Sequence, residues 1–283
     1  MTNPKTAREK LLEKSEIHID SRIAERILEE LENSAFENRT LIYALTDKDE
    51  RGRVRLFVPK KFIDRKNYGT LLLRWERLED RLPYMYMRVK PEKNVTELLR
   101  LTTNVQCGYY VPFSLAEFVG RMHPDLERHD ILIHTTDKDN YKGEIRHKVE
   151  RLTPEPEYAE QAVQYMPYTK STRYVLERLR KFAAFGIRGE DKSLKAFCGT
   201  HLETKTHAII GMAFTHPDYR RKNMQESVTT ALVRYAFSRG LNPVNEIDVY
   251  NMLSKSLATK LGFKHGEIDG RPAIEVVFYP HQK

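Results

Sequence analysis

Three consecutive cations, Arg220-Arg221-Lys222, stand just ahead of an amphipathic segment that begins at Met224. They follow His216-Pro217-Asp218-Tyr219 and lead into Asn223, Met224 and Gln225. A helix start offers unpaired backbone N–H groups and the positive end of the helix dipole. Cations beside such an end suit a phosphate, and a pyrophosphate is the expected ligand. The competing reading is a solvated basic turn that binds nothing. Downstream, Asn251 ends the run Val249-Tyr250 and precedes a short apolar helix pattern. It is expected to cap that helix and could also face a ligand. Gly262 in Lys260-Leu261-Gly262-Phe263 closes the pattern, with Phe263 as core.

The elements that must hold these residues lie in the second half of the chain. Thr169 or Ser171 caps a helix with Tyr174, Val175, Leu179 and Phe182 on its apolar side. Strands are expected at 184–188, 194–202 and 207–215, joined by polar turns into an antiparallel meander. Met224, Val228, Ala231, Leu232, Tyr235 and Ala236 then form one helix face, with Gly240 as its C-cap. Strands at 244–250 and 273–279 bracket the short helix through Leu253, Leu257 and Leu261. The first half is less legible. Ile23, Ile27, Leu28 and Leu31 mark a helix capped by Asp20 or Ser21. Strands are expected at 40–46, 53–58, 69–75, 84–89 and 130–136, and helices at 94–102 and 114–121. The polar run 137–143 is a loop at the domain edge. The expected division is 1–140 and 144–283.

Composition excludes several classes. The chain has 283 residues, 40% hydrophobic and 31% charged, which is a globular composition large enough for two domains. The N-terminus lacks the apolar run of a secretory signal and carries Glu9, Glu13, Glu16 and Asp20, against a transit peptide. No stretch matches the length of a membrane helix. The two cysteines, Cys107 and Cys198, form no CxxC pair, which points to a reducing compartment, with cytoplasm as the default. The ten histidines show no ligand spacing, so no metal is expected. The net charge of +8 attracts anions. The identity of that anion is open: no nucleic-acid reader motif is present, and a phosphorylated cofactor is the other obvious candidate.

Together these pieces resemble the GNAT (GCN5-related N-acetyltransferase) superfamily. Its first motif runs strand, Pro-x-Tyr-Arg, then Arg/Gln-x-x-Gly-x-Gly/Ala at a helix start; here it reads Pro217-Asp218-Tyr219-Arg220 and Arg220 through Gln225. Its next motif runs strand, Asn, helix, Leu-Gly-Phe, matched by Asn251 and Leu261-Gly262-Phe263. The layout is similar to the glycine N-acyltransferase-like branch. The resemblance covers about half the chain. It implies an α/β (α+β) fold: a GNAT domain with a mixed sheet flanked by helices in the C-terminal half. The N-terminal α/β domain is then either of unassigned role or a degenerate copy of the same fold. A mitochondrial location is the alternative it adds. Both motif glycines are replaced, by Asn223 and Gln225. Asn tolerates a left-handed backbone; Gln225 serves if its side chain turns away.

The resemblance implies an acyl-CoA or acetyl-CoA co-substrate and a small-molecule amine acceptor, glycine or another amino acid. The amine attacks the thioester directly. The backbone N–H of Ala213 or Phe214 polarises the carbonyl where the strand splays. Thr215 pairs with the pantetheine arm through its backbone. Backbone N–H groups from Arg221, Lys222, Asn223 and Met224 to Gln225 hold the pyrophosphate. The family's glutamate position holds Ile209, so His207, two residues earlier, is the expected base, with Glu203 or solvent as alternatives. Rival readings are a protein or polyamine acetyltransferase and an inactive acyl-CoA-binding protein.

Overall fold

The computed structural model describes residues 16–17, 21–47, 54–58, 71–76, 84–88, 107–166, 169, 171–268 and 270–280. It divides into two compact units, Met1–Ile131 with Ile274–Lys283, and Leu132–Ala273. The expected boundary at 140–144 lies later in the chain than this division. The last strand joins the first unit because it pairs there, as described below.

The first unit holds β1 (Glu16–Ile17), α1 (Ser21–Glu32), α2 (Arg39–Thr46), β2 (Val54–Phe57), β3 (Leu71–Trp75), β4 (Tyr84–Arg88), β5 (Gly108–Pro112), α3 (Ala116–Met122) and the start of β6 (Leu126–Thr135). Strands β2, β3 and β4 form an antiparallel meander, β4 pairs β5 in parallel, and the final strand pairs β5 antiparallel from Glu275↔Pro112 to Phe278↔Tyr109. The strand expected at 40–46 is helix α2. Leu41, Ile42, Tyr43, Ala44 and Leu45 are all buried, and an unbroken apolar run carries no period to separate helix from strand. The carbonyl of Asn38 starts the helix by accepting from the N–H of Ile42 at 2.9 Å. Arg39 beside it is fully buried and pairs with Glu275 at 3.1 Å. Strand β5 was not expected; the helix expected at 94–102 falls outside the described residues.

The second unit holds the end of β6, β7 (Glu150–Arg151), α4 (Pro156–Tyr165), α5 (Thr172–Lys181), β8 (Ala184–Arg188), β9 (Leu194–Glu203), β10 (His207–Thr215), α6 (Met224–Ser238), β11 (Asn242–Asp248), α7 (Met252–Lys260), β12 (Lys264–His265), β13 (Glu267–Ile268) and β14 (Arg271–Pro272). The strand that follows, β15 (Ile274–Pro280), is the one that pairs in the first unit. Strands β8, β9 and β10 form the expected meander, and β10 pairs β11 in parallel. An antiparallel meander of three strands followed by a parallel partner therefore occurs in both units. Helix α6 covers one sheet face with Val228, Leu232, Val233 and Ala236 against Ala196, Cys198, Ala208 and Ile210. Helices α4 and α5 cover the other with Tyr158, Ala162, Tyr174 and Val175 against Phe197, Met212 and Phe214. Each fully buried Val or Leu of this kind contributes roughly 1.5–3 kcal/mol. Gly262 ends α7 at φ +87°, and a Cβ there would stand 2.1 Å from the carbonyl oxygen of Asn140, so glycine is required.

His134 is buried in this unit, its ring centroid 4.6 Å from that of His265. Burial is the main cause that lowers its pKa, with His265 and Lys255 adding to the fall and a backbone bond at Leu132 opposing it. The folded state therefore holds His134 neutral. Its contribution to stability is complete above the ordinary histidine value of about 6.5 and is lost as pH falls through the lowered folded value. The thermal unfolding midpoint should drop from pH 7 to pH 5, and His134→Gln should reduce that drop. An equal drop in the variant would assign it to other groups.

Candidate functional site

The site grows from an interruption in the meander. Strand β10 pairs β9 with register shifts between Ile209 and Ile210 and between Ile210 and Met212. The residues left over are His201 on β9 and Gly211 on β10. Gly211 adopts φ +144°, which few other residues take. One extra residue reverses the alternation of a strand. Ile210 accordingly packs on the α6 side, whereas Met212 and Phe214 pack on the α4–α5 side.

The same point ends the parallel ladder. Strand β10 pairs β11 only from His207↔Asn242 to Ile210↔Asn245, while its pairing with β9 runs on to Thr215↔Ala196. The N–H of His216 donates to the carbonyl of Lys195 at 2.9 Å. Hydrogen-bonded pairs alternate in an antiparallel ladder, so Phe214 and Met212 also turn their N–H groups to β9. The N–H groups of Ala213 and Thr215 then face the gap left by β11. Of the two donors expected from sequence, Ala213 is suitably turned and Phe214 is not.

The chain leaves β10 through a short 3-10 turn, Pro217–Tyr219, and enters α6 at Asn223. Arg221 lies at φ +62° and Asn223 at φ +57°, both left-handed. Neighbouring residues of opposite hand make the concave N–H arrangement that holds anions. The side chain of Asn223 caps nothing. The first N–H groups of α6 have no intrahelical partner. The carbonyl of Lys222 is fixed by the ring Nε2–H of His147 at 2.7 Å. Arg220, Arg221 and Lys222 are exposed. Arg220 Nε donates to the Thr215 carbonyl at 3.4 Å, and Lys222 Nζ to the Asp218 carbonyl at 3.1 Å. Gln225 turns its side chain into the sheet: its Oε1 accepts from Thr215 Oγ1 at 2.9 Å and its Nε2 donates to the Phe197 carbonyl at 3.2 Å. The bulky residue at the second glycine position thus leaves its N–H on the loop side and ties the helix start to the end of β10. Met224 packs partly buried against the core.

Other expected residues sit elsewhere. His207 starts β10, beside Thr206 Oγ1 at 2.8 Å. Six strand residues, about 20 Å, separate it from Ala213. Glu203, at the same end, is paired with Arg239 at 2.6 Å. Asn251 caps α7, its Oδ1 accepting from the N–H of Ser254 at 3.1 Å. Cys198 lies opposite Ala213 in the ladder, and burial pushes its thiol up to about 12. Such a thiol is a poor nucleophile. Among the described residues, no group of three or more His, Cys, Asp or Glu is placed to hold a metal. Nor is any helix there long and apolar enough to cross a membrane.

Sequence reasoning missed three groups. Lys260 on α7 reaches both Asn223 Oδ1, at 3.5 Å, and the buried Glu226 in the first turn of α6. It stands beside the loop with its charge offset by that carboxylate. His201 and Asn245 flank Gly211: a Cβ on Gly211 would stand 3.8 Å from His201 Nε2 and 3.3 Å from Asn245 Oδ1. The available signal was the lone glycine inside an apolar strand, which marks a bulge.

Residues 185–268 match the family model for GNAT acetyltransferase, a span that contains the bulge, the loop and α7. Solved structures share the fold. A Drosophila protein aligns at 13% identity and TM-score 0.69, over 94% of this chain and 98% of its own. A tandem GNAT protein from the clavulanic acid biosynthesis pathway aligns at 10% identity and TM-score 0.57, over 93% and 96%. A GNAT-family acetyltransferase from Colwellia psychrerythraea aligns at 14% identity and TM-score 0.53, over 96% and 94%. No curated protein matches this chain by sequence. The family model supports a GNAT domain over residues 185–268, and the solved structures support a mixed α/β fold of sheet flanked by helices.

Proposed function

We propose that this chain is an acyl-CoA-dependent N-acyltransferase whose chemistry lies in the second unit. The observation that carries this reading is the joint placement of a parted strand pair and a basic loop with two left-handed residues at one end of β10. The loop from Arg220 to Gln225 takes the pyrophosphate of CoA through backbone N–H groups, with Arg220, Arg221 and Lys222 supplying positive potential. The Thr215 N–H meets the pantetheine arm in the gap. The Ala213 N–H points at the thioester oxygen, where negative charge develops as the amine attacks. The buried thiol of Cys198 favours direct transfer over an acyl-enzyme. Most of the acceleration is positioning.

The acceptor is an amine on a small carboxylate-bearing molecule, of which glycine is the simplest. The net charge of +8 favours an acceptor that carries an anionic group. The layout of the chain agrees with the glycine N-acyltransferase-like branch.

The test is release of free CoA thiol from acetyl-CoA with glycine, spermidine and a lysine peptide as separate acceptors. Turnover with glycine above the others is expected, with sequential kinetics, and Cys198→Ala should retain it. Binding of acetyl-CoA without turnover on any amine would replace this reading with an inactive CoA-binding protein.

A further inference from the structure

His201 and Tyr174 form a pair that the mechanism above leaves unused. His201 is the extra residue on β9 at the register shift, and Gly211 is its counterpart on β10. The Tyr174 hydroxyl lies 2.7 Å from His201 Nδ1. Tyr174 itself is buried against the sheet, so its hydroxyl is a fixed partner for the ring. The other ring nitrogen, Nε2, is the atom turned to Gly211, 3.8 Å from where a Cβ would stand. Any side chain at position 211 would fill that space. Asn245 Oδ1 borders the same space from β11 at 3.3 Å, and Asn245 belongs to the last rung before the two strands part.

We infer that His201 is the general base of the acyl transfer, with Tyr174 as its positioning residue. The inference rests on the acyl-transfer reading of this site. Ala213, the carbonyl-polarising N–H, is two strand residues from Gly211, roughly 7 Å. An amine attacking a carbonyl held there occupies the space between, within reach of Nε2 directly or through one water. The Tyr174 hydroxyl can pair with either tautomer of the ring. The base role uses the one in which Nδ1–H donates to the Tyr174 oxygen and Nε2 carries the lone pair that receives a proton. In the step, the bond from amine nitrogen to acyl carbon forms and the carbon–sulfur bond breaks. The amine proton passes to His201 Nε2. The CoA thiolate leaves and is protonated by solvent, and His201 returns its proton to solvent. Asn245 Oδ1 is placed to accept a second N–H of the same amine and so aim its lone pair. His207, at the far end of β10, has no comparable approach to this space.

The experiment measures acetyl-CoA affinity by calorimetry, and the pH profile of kcat/KM with the best of the three acceptors named above. The proteins are wild type, His201→Gln and Tyr174→Phe. His201→Gln should bind acetyl-CoA as wild type does. It should lose at least ~100-fold in kcat/KM at neutral pH, together with the profile's acidic limb. Added imidazole should restore part of the rate, which repair of a merely structural loss would not do. Tyr174→Phe should shift that limb and lower the rate less. If wild type turns over and His201→Gln keeps its rate and limb, the base assignment is overturned. The same holds if the rate falls with the limb intact and no imidazole rescue. If wild type binds acetyl-CoA and turns over none of the amines, the acyl-transfer reading fails and this inference fails with it.

Discussion

Arg220→Ala and Lys222→Ala combined should weaken acetyl-CoA binding by more than about 1 kcal/mol, with a smaller dependence on salt than wild type. Charged hydrogen bonds contribute about 1.5–3 kcal/mol each. Exposure reduces that figure here, because both side chains stand in solvent. Each donates to a backbone carbonyl, of Thr215 and Asp218, so truncation strands no buried charge and the fold should persist. Wild-type affinity should fall as salt shortens the screening length, and the double variant should respond less. Calorimetric titration at low salt and near physiological salt is the check. Equal affinities for the two proteins at low salt would show that the basic turn is a solvated one.

Asn223→Val should lose acetyl-CoA binding, whereas Asn223→Gly should retain it. Asn223 sits at φ +57° and ψ 18°, inside the left-handed region. Leaving that region is the easier course for a valine, since a branched Cβ there is strained. The N–H groups that follow would then turn with it. Glycine has no such penalty and restores the residue the motif expects. The Gly variant gives up the contact of Oδ1 with Lys260, which is long at 3.5 Å and worth little. Calorimetry and the far-ultraviolet circular dichroism of both variants separate loop distortion from unfolding. A valine variant that binds acetyl-CoA normally would refute the loop conformation.

What could be read from the letters follows from how each signal is encoded. The amphipathic face of α6 and the limits of β10 were legible because period and turn residues agree there. The left-handed conformation of Asn223 was legible because few residue types accept it. Helix α2 was not, since a segment buried on every side shows no period. Helix α4 was missed although Pro156 at its start and the buried Tyr158, Ala159 and Ala162 fit a short helix. The site suffered most from the bulge. The count back from Arg220 that set the base position at Ile209 crosses the irregular stretch at Gly211, so the step from Ile209 to His207 started from a shifted register. His201 comes into view only when the two register shifts are known, because its partners Tyr174, Gly211 and Asn245 are spread over the sequence. The side-chain direction of Gln225 was likewise out of reach, since it depends on Thr215 and the Phe197 carbonyl.

The central claim is that the turn from β10 into α6 receives the CoA pyrophosphate while the end of β10 receives its thioester arm. Amide hydrogen exchange of the wild-type protein with and without acetyl-CoA tests it most directly. Protection should concentrate between Ala213 and Glu226. Acetyl-CoA that protects another part of the chain and leaves 213–226 unchanged would contradict it.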